Sequence, residues 1–128
     1  MLTTYQATTE NITIKVRPTF VENQSDVIVK KFVFAYFVHI ENNSNERVQL
    51  LRRHWFIYDS IGEMSEVEGE GVIGQQPIIS PKKYHEYNSF CVLKSFEGYM
   101  EGTYLFERAN GEQFLVTIPR FTLRAKAN

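Results

Sequence analysis

The sequence predicts an all-β fold, an antiparallel β-sandwich of seven to eight strands of the immunoglobulin-like or fibronectin type III-like kind. Three observations lead to this expectation. Apolar and polar residues alternate with a period of two through nearly the whole chain, and clusters of turn-forming residues separate the alternating segments. No segment shows the residue spacing of an amphipathic helix.

The first clear strand covers residues 12–16, where β-branched apolar residues alternate with polar ones, and we expect it to end at Pro18. A turn is expected at residues 23–26. The next strand is predicted in the most apolar stretch of the chain, residues 27–41. One face of that strand consists of Phe32, Phe34, Tyr36, Val38 and Ile40. The opposite face, Val33, Ala35, Phe37 and His39, is also largely apolar, so the strand is predicted to be central and covered on both sides.

The later strands are separated by clear turn residues. They are predicted at residues 48–59, 84–93, 98–108 and 113–123, and a short acidic segment, residues 63–68, follows the first of them. Asn110-Gly111 between two alternating segments is a strong hairpin signal. Trp55, the only tryptophan, is expected to be buried between the sheets against the strand that contains Tyr36. The tail from Arg124 to Asn128 is expected to be frayed.

Composition places the chain among ordinary single-domain globular proteins. It has 128 residues, of which 43% are hydrophobic and 23% charged, with a net charge of -1. We expect one domain over residues 1–128, with a core from about residue 12 to 123. The low net charge gives no electrostatic basis for binding nucleic acid. One cysteine, no signal peptide pattern and no membrane-length apolar segment predict a cytoplasmic protein without membrane insertion. No cofactor is predicted, and the oligomeric state is left open.

The glycine spacing Gly69-x-Gly71-x-x-Gly74 is typical of dinucleotide-binding sites, but its context is wrong. Such a site requires a helix directly after the glycines. Pro77 and Pro81 follow instead, with β-branched residues between them, so no helix is expected. Two interpretations stay open: successive glycine-loop amides could bind an anion such as phosphate or pyrophosphate weakly, or the glycines serve only a tight backbone crossing.

Arg52, Arg53 and His54 interrupt an otherwise apolar strand. Strict alternation would place some of these polar groups in the core, unless a β-bulge resets the register. They could form an anion-binding group beside the glycine loop, because arginine forks bind phosphate and carboxylate well. The alternative is structural, with an arginine paired to a glutamate and His54 partly buried.

Glu66, Glu68 and Glu70 share one side of an extended segment. Their carboxylates could hold a hard divalent cation. Equally, such a row is typical of a solvated sheet edge that discourages the addition of another strand.

No catalytic residue is predicted. Cys91 has no activating neighbour in the sequence and reads as a small core residue. His39, His54 and His85 lack the spacing and the accompanying cysteines of a zinc site. No nucleophile-elbow, metalloprotease or P-loop pattern is present.

With these residues in view, the chain resembles the ApaG family, small bacterial proteins whose domain recurs in eukaryotic F-box and polymerase-associated proteins. The resemblance covers about residues 12–123 and is carried by Phe34-Ala35-Tyr36, Ile40-Glu41-Asn42, the run from Val48 to Trp55, Gly69 to Pro77, Met100 to Tyr104 and Ile118 to Phe121. It implies a fibronectin type III-like sandwich without an established enzymatic activity. The family is linked by phenotype and naming to cobalt and magnesium resistance or efflux, and in larger proteins the domain resembles a recognition module. Many relatives have a small residue such as Gly or Thr where this chain has Cys91.

The resulting functional hypothesis is a non-enzymatic cytosolic binding module. It would recognise a protein partner or a phosphate-bearing ligand near Arg52, Arg53, His54 and the glycine loop. The alternative that the resemblance implies is an accessory role in Co²⁺ or Mg²⁺ resistance or efflux. An enzyme acting on phosphoanhydrides is a third hypothesis.

Overall fold

The structure, a computed structural model, describes residues 3–125 and is an antiparallel β-sandwich. Its strands are β1 (Tyr5–Thr9), β2 (Ile12–Phe20), β3 (Phe32–Asn42), β4 (Val48–Asp59), β5 (Glu63–Glu70), β6 (Ile78–Ile79), β7 (Tyr84–Leu93), β8 (Glu97–Arg108) and β9 (Gln113–Arg124). The predicted fold class is confirmed, with nine strands where seven to eight were expected. Residues 126–128 of the tail lie outside the described residues.

Two sheets form the sandwich. The first has the strand order β1-β2-β3-β7, and the second has the order β5-β4-β8-β9, with the short β6 paired to the start of β4. One 3₁₀ turn, Glu22–Gln24, is the only helical element within residues 3–125. No helix in this part of the chain is long and apolar enough to cross a membrane.

The predicted strand at residues 27–41 begins too early. Residues 27–30 form a turn that is closed by pairing between Asp26 and Lys31, and β3 begins only at Phe32. The Asp26 carboxylate accepts a hydrogen bond from the amide of Ile28, and Lys30 has a φ of 57°. The three apolar residues that suggested a strand, Val27, Ile28 and Val29, are exposed. Local turn chemistry therefore prevails over β-propensity here.

The expected strand end at Pro18 is also wrong. β2 continues to Phe20, and Pro18 pairs in register with Tyr36 of β3. On its other side β2 pairs with β1 only as far as Val16. Proline lacks an N–H, and here it lies beyond the end of the neighbouring strand, where that donor is not needed.

The core lies between the two sheets and is rich in aromatic residues. Trp55 is 2% exposed, and its ring contacts those of Tyr36, Tyr104 and Phe121 at centroid distances of 5.4, 6.2 and 5.9 Å. The predicted burial of Trp55 against β3 is confirmed. The prediction that β3 is covered on both faces holds only in part. On its outer face, Val33 and Ala35 are buried, whereas Phe37 is 40% exposed.

The two flanks of the sandwich differ. On one flank, here called the sealed flank, β1 and β2 pack against β9. The amide of Thr117 donates to Thr9 Oγ1 at 3.2 Å, and Arg108 binds Glu10 across the same flank. On the other, the open flank, β5 and β7 are the outer strands of their sheets, and a groove lies between them.

Candidate functional site

A cavity with a volume of about 910 Å³ lies on the open flank. We call it the open groove. One wall is formed by β4, β5 and the glycine loop. The other wall is formed by Tyr87 and residues 89–94, which belong to β7 and the turn after it. Its position follows from the topology, because β5 and β7 each pair with a single neighbour and leave the space between the sheets uncovered.

Arg52 and Arg53 lie on opposite faces of β4. The register of β4 shifts between Leu50 and Arg52, so a β-bulge resets the alternation there. Such a bulge was one of the two possibilities that the sequence left open. Beyond the bulge, Arg53 lies on the same face as buried Trp55 and lines the open groove, whereas Arg52 is exposed. The structure therefore separates the two arginines that the sequence suggested as a pair.

Arg53 holds the glycine loop. Its Nη1 donates to the carbonyl oxygens of Glu70 and Gly71 at 2.9 and 3.0 Å. A Cβ at Gly69 would lie only 3.1 Å from the guanidinium nitrogens. Within residues 3–125 no carboxylate lies at ion-pair distance from Arg53, so its contacts to the loop are with backbone rather than with a glutamate side chain.

The glycine loop uses its amides internally. Gly71 N donates to Leu51 O at 2.8 Å, and Val72 and Gln75 exchange backbone hydrogen bonds at 2.8 and 3.0 Å. Gly71 has a φ of +62°, and a Cβ there would lie 2.1 Å from Gln75 O, so only glycine fits this close approach. Gly74 has a φ of +73° with open space around it. The next element is β6, so the expectation that no helix follows the glycines is confirmed.

His54 lies on the outer face of the second sheet, away from the open groove. Its Nε2 is 2.5 Å from a carboxylate oxygen of Glu66, and its Nδ1 is 3.7 Å from one of Glu68. Glu70 pairs in register with Arg52 on the same strand pair. Of the four glutamates of β5, Glu66 and Glu68 thus lie beside His54, and Glu70 lies opposite Arg52 in register. Among residues 3–125, no group of three His, Cys, Asp or Glu side chains is arranged to hold a metal ion.

Three tyrosines that the sequence analysis did not select meet at the Arg53 end of the groove. The hydroxyls of Tyr87 and Tyr104 are hydrogen-bonded to each other, and Tyr36 lies beside Trp55. Burial raises the pKa of each of the three phenols, and the nearby Arg53 charge opposes that rise. The signal was present in the alternation, which places Tyr36, Tyr87 and Tyr104 on inward faces of their strands.

Cys91 lines the middle of the groove and is 7% exposed. Burial, followed by the nearby Asp59 carboxylate, raises the pKa of its thiol to about 11. A thiol with so high a pKa supplies almost no thiolate near neutral pH. The interpretation of Cys91 as a small core residue is consistent with this environment.

The far end of the groove is closed by Asp59 at the end of β4. Its carboxylate accepts hydrogen bonds from the Lys94 amide at 2.6 Å and from Ser95 Oγ at 2.5 Å. The Lys94 ammonium lies 3.3 Å from Glu63. These contacts join the end of β4 to the turn after β7, so the groove is bounded at one end by Asp59 and at the other by the glycine loop.

Comparisons with known proteins identify the family. The family model of the ApaG domain matches residues 22–108. The chain is 45% identical to Protein ApaG of Methylobacterium nodulans over 93% of this chain and 92% of that protein. It is 42% identical to Protein ApaG of Mesorhizobium japonicum, with the same coverage. The crystal structure of the putative ApaA protein from Bordetella pertussis superposes with a TM-score of 0.88 at 40% identity, covering 91% of this chain and 95% of that one. The chain belongs to the ApaG domain family.

Proposed function

We propose that the protein is a non-enzymatic binding module that takes up an extended segment of a protein partner. The segment adds to the free edge of β7 as a further strand of the first sheet and fills the open groove. The observation that carries this proposal is the free edge of β7 itself, where residues 88–92 are all uncharged and residues 89–92 line the groove.

The two edges beside the groove differ in their protection against strand addition. β5 carries four glutamates in its eight residues, Glu63, Glu66, Glu68 and Glu70, and all four are exposed.

 Charged residues on an edge strand discourage pairing with another chain. No such charge protects residues 88–92 of β7, where Phe90 and Val92 are 54% and 58% exposed. The unprotected edge is therefore the one that can accept a strand, as in other cases of recognition by β-augmentation.

A phosphate-bearing ligand at the glycine loop has less support. The amides of Gly71, Val72 and Gln75 already donate to backbone carbonyls. Arg52 lies on the other face of β4, so it cannot join Arg53 in gripping one anion. The loop geometry favours a structural role for these glycines, and the groove is left as the site for a partner.

A role in Co²⁺ or Mg²⁺ handling also has less support than protein binding. A hard cation would need several carboxylate oxygens that converge on one point. Glu66 and Glu68 instead approach the two ring nitrogens of His54, one on each side. A cation at this place would have to displace the histidine contacts first.

The test is selection of unconstrained random peptides on the intact immobilised protein, followed by affinity measurement on two matched variants. Phe90→Lys places a charge at the free edge of β7, and Leu115→Lys places one at a similarly exposed apolar residue of β9 that does not line the groove. We expect Phe90→Lys to abolish peptide binding and Leu115→Lys to leave it unchanged. Equal effects of the two variants, or a failure to select any peptide, would overturn the proposal.

A further inference from the structure

Among residues 3–125, Arg53 is a partly buried cation without an anionic partner. We propose that Arg53 selects the partner by binding the carboxylate of an Asp or Glu side chain in the segment that fills the open groove. The inference rests on the proposed function, because it names the chemistry of the segment that adds to β7.

Within the part of the chain that the structure describes, no carboxylate neutralises the charge of Arg53. Its side chain lies in the wall of the groove, and its Nη1 donates only to two backbone carbonyls, those of Glu70 and Gly71. Charges removed from water are normally paired, because an unpaired one loses hydration without compensation. A guanidinium has five N–H donors in a planar fork, so donors beyond those of Nη1 are left for a ligand.

Three other charged residues of the groove, Asp59, Glu63 and Lys94, already have polar partners. Asp59 accepts hydrogen bonds from the Lys94 amide and from Ser95 Oγ, and the Lys94 ammonium pairs with Glu63. These contacts lie at the end of the groove opposite to the glycine loop. Glu70 also lines the groove without an ion pair among residues 3–125, and it pairs in register with Arg52, which lies on the outer face. Among the same residues, Arg53 is the one cation of the groove lining without an anionic partner.

The surroundings of Arg53 fit a carboxylate on an extended chain. Ser89 lines the groove from β7, and a serine hydroxyl can donate to an oxygen anion. A single arginine matches the single charge of a carboxylate, and the bond between them can be bidentate. A phosphate dianion would need a second cation, and Arg52 lies on the opposite face. The charge balance thus favours an acidic side chain over a phosphate group.

The test uses the peptides selected on the intact wild-type protein. An acidic residue shared by the selected peptides, and a loss of affinity of about tenfold to a hundredfold when it is changed to its amide, would support the inference. This comparison alters only the peptide and leaves the fold of the protein untouched. Peptides that bind at the β7 edge without any acidic preference would overturn the inference while leaving the proposed function intact. Failure to select peptides would overturn both.

Protein variants give the second arm. Arg53→Gln is expected to weaken binding of the acidic peptide by the same factor and to remove the difference between acid and amide peptides. Arg52→Gln is the matched control, because it changes the neighbouring arginine on the opposite face, and it should bind as the wild type does. If Arg53→Gln is poorly folded, the acid-to-amide comparison on the wild-type protein decides alone. Inorganic phosphate and acetate serve as competitors, and displacement of the peptide by phosphate at lower concentration than by acetate would contradict the preference for a carboxylate.

Discussion

The two flanks of the sandwich differ in whether the edge strands of the two sheets contact each other. On the sealed flank, β1 lies against β9, and the contacts include the Thr117–Thr9 hydrogen bond and the Arg108–Glu10 ion pair. On the open flank, β5 and β7 stand apart and leave a groove of about 910 Å³. Both flanks border the same aromatic core. The groove is therefore a consequence of strand order and not of a poorly formed core.

The largest expected effect comes from truncating Trp55, which is buried in the aromatic core between the two sheets. Trp55 contacts Tyr36 and Phe121, so Trp55→Ala should lower the free energy of unfolding by about 3–5 kcal/mol. Phe96→Ala is the control, because Phe96 is 57% exposed, and it should change stability by less than about 0.5 kcal/mol. Chemical denaturation measures both. Similar midpoints for the two variants would show that Trp55 is not central to the core.

The glycine loop that ends the open groove offers a sharper comparison. Gly71 and Gly74 both have positive φ, but only a Cβ at Gly71 meets backbone, at 2.1 Å from Gln75 O. Gly71→Val should therefore be less stable than Gly74→Val by about 1–3 kcal/mol, the usual cost of overpacking. Thermal or urea unfolding of the pair measures this difference. Equal stability would mean that the close approach at Gly71 does not constrain the loop.

Alkaline pH should weaken the open flank. Burial raises the pKa of Cys91 from 9.0 to about 11, so the folded protein keeps this proton at pH values where the unfolded chain has released it. The contribution of Cys91 is fully present below pH 9 and is lost as the pH rises through about 11. Cys91→Ala should remove part of this loss, on the order of 1–2 kcal/mol. The free energy of unfolding is measured at several pH values for both proteins. If it falls with rising pH equally in Cys91→Ala and in the wild type, the buried thiol is not the cause of the loss.

The smallest expected effect concerns the sealed flank. Thr9→Val removes the acceptor of the Thr117 amide and should cost about 0.5–1.5 kcal/mol. Peptide binding at the open groove should not change, because Thr9 lies on the opposite flank. Unfolding and peptide affinity are measured on the same sample. A loss of affinity without a loss of stability would show that the two flanks are coupled.

Much of the fold could be predicted from the sequence, because alternation and turn residues report local structure. The strand at residues 48–59 and that at 84–93 were predicted with the bounds that the structure shows. Residues 27–30 were wrongly assigned to a strand because they are mostly apolar. They form a turn that is closed by hydrogen bonds between Asp26 and Lys31, and apolar composition does not predict such bonds.

The site was harder to predict than the fold. Arg52 and Arg53 are adjacent in sequence, and only the bulge after Leu50 decides that they face opposite sides. The groove depends on which strands lie at the sheet edges, and strand order is set by contacts between distant segments. The four glutamates of β5 were the one available signal, because such a row is typical of an edge strand.

Amide hydrogen exchange of the intact protein, with and without a selected peptide, tests most directly whether a partner segment adds to β7. If the partner segment adds to β7, the alternate amides of residues 88–92 that face the free edge should exchange much more slowly in the complex. The amides of β9 on the sealed flank should exchange at unchanged rates. Protection confined to β9 or to the outer face of the second sheet, with β7 unaffected, would contradict binding at the open flank.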